Sequence, residues 1–228
     1  MRDLLRRIGN TLREKAFVMP LRRRKGIKTT MLGTKYGGYH MPSVFVRPGM
    51  VCYSAGVGED VSFDEGLIKR FGCKVFAFDP TPRAASFVQD HCANLLDFSF
   101  YNIGVWSEDA IMKFYSPKNS EHVSHSIVNI QKTSDYFEAK CMKLSSIMEM
   151  LGHSQIDILK LDIEGAECAV LDNMISESIK VGILTVEFNQ PIALKESWKM
   201  VKKLRANGYL LVKVDGWQCL LVRSELIS

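Results

Sequence analysis

Val51-Cys52-Tyr53-Ser54-Ala55-Gly56-Val57-Gly58-Glu59-Asp60 is the stretch on which the reading of this chain turns. Residues 51–54 form a short apolar run, as a buried strand does. Two glycines follow, and then Ser62-Phe63-Asp64-Glu65, whose spacing predicts a capping box opening a helix. Strand, glycine turn and helix start in succession put bare backbone and a helix N-terminus at the carboxyl end of a strand, a place where parallel sheets bind ligands. Gly56 and Gly58 fit that place, because a Cβ would block close approach or a positive φ.

The next strand narrows the ligand class. A dinucleotide fingerprint carries a third glycine, and here that position is Val61. Asp79, however, ends the apolar run 74–78 and lies 21 residues after Gly58. An acid there accepts ribose hydroxyls. A ligand with a ribose and no pyrophosphate suits this pattern, and S-adenosylmethionine (SAM) is one. The expected placement has the ribose on Asp79 and the methionine end over Gly56 and Gly58. An NAD-dependent oxidoreductase is the alternative that the absent glycine weakens.

The rest of the chain alternates in the same way. Helix 63–71 stops at Gly72, and Thr81-Pro82 is an N-cap with proline at the first helical position, opening a helix expected to reach about residue 95. A strand is expected at 98–103, a hairpin arm at 111–115 and a short strand at 139–144. Ser146 and Glu149 predict a second capping box. Strand 156–161, helix 166–175, strand 183–188 and helix 195–207 follow. The runs 209–214 and 217–222 flank Asp215-Gly216, a strong hairpin signal. Repeated βα units imply a mostly parallel sheet, here closed by an antiparallel pair.

Charge divides the chain into an arm and a body. Residues 1–35 hold 11 Lys/Arg and 2 Asp/Glu, a net of 11 − 2 = +9, while the rest holds 19 and 23, a net of −4. Residues 3–15 carry a helical apolar stripe at Leu4, Leu5, Ile8 and Leu12 with basic residues opposite. Such an arm either contacts anionic lipid or an acidic partner, or is a solvated helix. A non-catalytic module docked through it is a further alternative. The acidic body speaks against nucleic acid as its substrate. The expected division is a basic arm, 1–35, and a body, 36–228. Residues 33–41, rich in glycine and tyrosine, suit a lid over the pocket or a packed linker.

Six cysteines without a C-x-x-C spacing read as buried free thiols of a reducing compartment. With no apolar run of about 20 residues and no secretory signal, a cytoplasmic location is expected.

The loop 51–60, Phe78-Asp79-Pro80-Thr81-Pro82-Arg83, and Leu159-Lys160-Leu161-Asp162-Ile163-Glu164-Gly165-Ala166-Glu167 together resemble the FkbM family of SAM-dependent methyltransferases. The resemblance runs from about Tyr36 to the C-terminus. It implies an α/β, Rossmann-like class I methyltransferase fold: three layers, α/β/α, around a mostly parallel seven-stranded sheet with a C-terminal antiparallel hairpin strand. It also implies methyl transfer, usually to an oxygen of a sugar, a polyketide or a related small molecule. Ser54 stands where the general class I loop has an acid, and Asp60 where it has its last glycine. Asp60 can replace the missing acid.

The expected cofactor-binding residues are therefore Ser54, Gly56, Gly58, Glu59, Asp60, Asp79, Pro80, Asn102 and Asp162, with Asn102 against the adenine. A hydroxyl acceptor needs help in losing its proton. Asp162, Glu164 and Glu187, at the carboxyl ends of two strands, are the expected catalytic acids, and His125 in the long polar loop is a further candidate base. Glu167 reads as an acid favoured by the dipole of a helix first turn. Mg²⁺ on Asp162, Glu187 and Asn189 is a minor alternative to a metal-free site. The expected partner is a glycan or small-molecule acceptor.

Overall fold

A computed structural model describes residues 17, 21, 23–115, 134–188 and 194–227. The arm helix at 3–15, His125 and Asn189 lie outside the described residues.

Seven strands make the main sheet: β3 (Val51–Ala55), β4 (Lys74–Phe78), β5 (Phe98–Tyr101), β9 (Ile156–Leu161), β10 (Val181–Glu187), β11 (Tyr209–Asp215) and β12 (Gln218–Arg223). Their spatial order is β11-β12-β10-β9-β3-β4-β5. Pairing is parallel from β10 through β9, β3 and β4 to β5, and β12 runs antiparallel between β10 and β11. Two further strands, β1 (Thr30–Leu32) and β2 (Tyr39–Met41), form an antiparallel hairpin before the sheet. A small second sheet joins β6 (Gly104–Val105), β8 (Tyr136–Met142) and β7 (Ala110–Tyr115), with β8 in the centre.

The two faces of the sheet follow from the alternation of side chains along each strand. Tyr53, Leu159, Leu161, Leu184 and Val186 point to one face. There they pack on α3 (Leu144–Leu151), α4 (Glu167–Ser176) and α5 (Leu194–Ala206) through Ile147, Val170, Leu171, Val201 and Leu204. Cys52, Val75, Ala77, Ile158 and Ile183 point the other way, onto α1 (Ser62–Phe71), α2 (Pro82–His91) and the β1–β2 hairpin. This is the expected three-layer α/β/α arrangement. Among the described residues no helix is long and apolar enough to cross a membrane.

Several local expectations need correction. Neither capping box forms. Ser62 is already helical, its hydroxyl accepts from the Thr34 amide at 2.8 Å, and Glu65 pairs with Lys69 instead. Ser146 donates to Asp109 at 2.6 Å, and α3 has begun two residues earlier, at Leu144. Helix α2 ends at His91, because the chain turns at Cys92–Leu95 and passes through a left-handed Asp97 to enter β5. The strand expected over 98–103 breaks after Tyr101, and Gly104–Val105 pairs with β8. The hairpin arm β7 pairs forward with β8. The last hairpin turns at Gly216-Trp217, since Asp215 still faces Gln218. Before residue 36, β1 pairs with β2, Leu32 is buried, and the Arg24 amide donates to the Leu211 carbonyl at 2.6 Å.

Candidate active site

A cavity of about 560 Å³ opens at the carboxyl ends of β3, β4, β9 and β10. Its floor is the glycine loop. Gly56 has φ +86°, and a Cβ on it would lie 1.8 Å from the Asp162 carbonyl oxygen, so only glycine lets the β3 and β9 ends come together. The Gly56 amide donates to Phe78 at 2.9 Å, and its carbonyl accepts from Lys160 Nζ at 2.5 Å. Gly58 differs: its φ is +56°, and a Cβ there would meet nothing within 4 Å. It is needed for backbone direction, and the space above it is open.

That direction serves Asp79. One carboxylate oxygen accepts from the Val57 and Gly58 amides at 2.9 and 3.0 Å. The other accepts from the Thr81 amide and hydroxyl at 2.9 and 2.6 Å. Asp79 is on the cavity wall, where a ribose acceptor was expected, but the chain itself fills all four of its acceptor positions. It shapes the loop, and a ribose hydroxyl must compete with these donors.

The loop after β9 is built on the same plan. Glu167 is fully buried at the start of α4, and its carboxyl accepts from the Ile163 and Gly165 amides at 3.0 and 3.1 Å. Burial pushes its pKa up to about 8 against the pull of those amides. Its placement in the helix first turn is as expected, but its work is to hold the 162–165 loop. Glu164, at φ +53°, lines the cavity from that loop.

Asp162 and Glu187 stand at the ends of neighbouring parallel strands, and one hydroxyl touches both. Tyr39 Oη is 2.6 Å from Asp162 Oδ2 and 3.1 Å from Glu187 Oε2. Gln218 Nε2 donates to the same Glu187 oxygen at 3.0 Å. Burial, and then the Asp162 charge, raise the Glu187 pKa. Burial and the same two acids push the Tyr39 phenol far up, so it stays a donor. Lys160 Nζ lies 5.2 Å from the centre of the Tyr39 ring. Among the described residues no group of three or more His, Cys, Asp or Glu is arranged to hold a metal ion. The Tyr39 hydroxyl contacts both Asp162 and Glu187, the two described members of the Mg²⁺ alternative.

Asp60 lines the cavity and is clasped by the Thr34 hydroxyl at 2.6 Å and the Ser62 amide at 2.8 Å. Glu59 is at the rim, paired with Arg83 at 2.7 Å. Pro80 contributes to an apolar wall with Val105, Phe114, Ile163 and Ala166.

Two expected cofactor residues are not on this wall. Ser54 is 1% exposed and faces the α1 side, beside Asp64, because strand alternation turns it away from the loop. Asn102 is exposed and its amide donates to the Asp79 carbonyl at 2.8 Å, so it braces the Asp79 turn. Tyr36, Gly37 and Tyr39 line the cavity, which makes the 33–41 segment a wall of the pocket.

Tyr39, Lys160 and Thr81 were missed as site residues. A lysine inside the apolar run 156–161 was the signal for Lys160. Nothing local marked Tyr39 over its tyrosine neighbour at 36.

Residues 54–211, more than half of the chain, match the Methyltransferase FkbM domain family. The probable methyltransferase-like protein 24 of Rattus norvegicus is 31% identical over 139 residues, which cover 60% of this chain and 32% of that protein. The Homo sapiens protein of the same description is 30% identical over 139 residues, with the same coverage. The chain thus matches about a third of the length of these curated relatives. Among solved structures, precorrin-6y C5,15-methyltransferase from Geobacter metallireducens GS-15 aligns over 90% of this chain and 92% of its own, with 11% identity and a TM-score of 0.43. TrmK of M. capricolum, in complex with S-adenosylhomocysteine (SAH), aligns over 78% and 62%, with 10% identity and a TM-score of 0.37.

Proposed function

The chain belongs to the FkbM methyltransferase family, and from that membership we propose that it transfers the methyl group of SAM to a hydroxyl of a glycan or small molecule. The observation that carries the reading is the cavity itself, with an open glycine loop at its floor, an apolar wall and an acidic end. The space above Gly58 suits a ligand lying on bare backbone, and Pro80, Val105 and Phe114 suit a planar base. Asp60, Asp162, Glu164 and Glu187 suit the positive charges of a sulfonium and an ammonium.

SAM supplies a methyl group already activated on sulfur. The work left to the chain is alignment and proton removal, and alignment alone can supply about 7–11 kcal/mol of a barrier. Asp162 and Glu187, which line the cavity from adjacent strands, are in this reading the groups that take the proton of an acceptor hydroxyl, with Glu164 beside them. Six unpaired cysteines, of which Cys168 alone is incompletely buried, fit a cytoplasmic location where thiols stay reduced.

Calorimetry with SAM and SAH tests the proposal first. Saturable binding of both is expected, and a protein that binds neither is not a methyltransferase of this kind. Incubation with methyl-labelled SAM and a panel of glycans and small hydroxylated acceptors then tests the acceptor class. A base-stable labelled ether is expected, whereas label released as an amine or an ester product overturns O-methylation of a hydroxyl.

A further inference from the structure

We propose that Tyr39 is the positioning residue of the acid pair, its single hydroxyl binding Asp162 and Glu187 into one unit that faces the acceptor. The inference rests on the methyl-transfer reading and adds a residue to it.

A phenol has one proton, and the two carboxylate oxygens lie at 2.6 and 3.1 Å from it. That proton is therefore shared, mostly toward Asp162, the closer acid, with Glu187 as its second acceptor. Without that hydroxyl two half-buried carboxylates from adjacent strand ends would lose the donor they share, and the repulsion between them would rise. The charge of Lys160, which is turned to the Gly56 carbonyl beneath the ring of Tyr39, favours the ionised Glu187, and Gln218 donates to Glu187 and to the Gly38 carbonyl. Tyr36, Asp60 and Glu164 share the cavity wall with the pair.

The hydroxyl is itself fixed from outside the sheet. Tyr39 belongs to the β1–β2 hairpin, its ring packs edge-on against Phe63 of α1 at 5.3 Å, and it is 1% exposed. The hairpin thus presents one rigid donor to acids from two strands. A base held at a set spacing is what an in-line transfer to a hydroxyl requires.

The test is a double-mutant cycle on the full-length protein, read by thermal unfolding at pH 7.5. Tyr39→Phe keeps the ring and removes the hydroxyl, and should lower Tm by about 4–8 °C. Adding Glu187→Gln removes one charge of the pair and should restore at least half of that loss. If the two substitutions simply add, Tyr39 acts through packing and the proposal fails.

SAH calorimetry on the same proteins separates this from the parent reading. Tyr39→Phe should weaken SAH binding no more than Asp162→Asn does, because it acts through that acid. A larger loss in Tyr39→Phe makes Tyr39 itself a cofactor ligand and overturns the proposal. Failure of the wild type to bind SAH overturns methyl transfer and leaves the cycle to stand by itself.

Discussion

Lys160 Nζ donates to the Gly56 carbonyl at 2.5 Å, tying the carboxyl end of one core strand to the first glycine of the neighbouring loop. The lysine is 5% exposed and flanked in register by Ser54 and Thr185. Burial raises the carboxyl pKa of both Asp64 and Glu187, and the Lys160 charge opposes part of that rise. Removing one partner from such a cluster leaves the others uncompensated, a loss of about 3–5 kcal/mol in buried settings. Lys160→Met, which keeps the stem, should therefore lower the unfolding free energy in urea by roughly 3 kcal/mol. A variant as stable as the wild type would show that the acids need no such counter-charge.

The two glycines of the loop should respond differently to alanine. At Gly56 a Cβ meets the Asp162 carbonyl oxygen at 1.8 Å in addition to the left-handed φ. Gly56→Ala should cost about 3 kcal/mol or more and abolish SAH binding. At Gly58 there is no obstacle, only the left-handed backbone, so Gly58→Ala should cost about 1–2 kcal/mol. Urea unfolding and SAH calorimetry on the pair check this, and equal losses would contradict the close approach of β3 and β9.

Asp79→Ala strips four donors of their acceptor, including two loop amides. Each buried donor left unpaired costs about 1–3 kcal/mol. The variant should lose roughly 3–5 kcal/mol of stability without any cofactor present, and SAH affinity should fall at least about tenfold as the loop loses its shape. If its only job were to hold a ribose, affinity would fall with the stability of the unliganded protein unchanged.

Glu167 gives the protein a pH signature. Its pKa in the folded protein is pushed up to about 8, against the usual 4.5. Between those values the folded state holds a proton that the unfolded chain has released, so stability is present in full below about 4.5 and declines as pH rises through 8. Glu167→Gln should flatten this part of a pH series of urea midpoints. A slope that persists in the variant belongs to another group.

Strands were legible where punctuation bounded an apolar run. Lys74–Phe78 lies between Gly72-Cys73 and Asp79-Pro80, and Ile156–Leu161 lies between Ser154-Gln155 and Asp162, and both were read to the residue. Helix starts were less legible, because a capping serine advertises a local bond that a distant group can claim. Ser62 illustrates this, with Thr34 as its partner from 28 residues away. The site was half visible. Gly56, Asp79, Asp162 and Glu187 stand at strand ends, where parallel topology must bring them together. Tyr39 comes from a hairpin outside the alternating pattern, and no periodicity says where such a hairpin docks. Asp79 and Glu167 were read as ligand contact and dipole partner, and both also hold backbone amides, a role that depends on loop geometry.

The insertion of β12 between β10 and β11 has a consequence for biosynthesis. Residues 218–223 form an interior strand although they are made after the six other strands of that sheet. As the ribosome works along the message, β10 must wait with one edge unsatisfied until those residues have cleared the exit tunnel. A nascent chain released short of them would expose that edge, along with Glu187 deprived of Gln218, to chaperones and proteases.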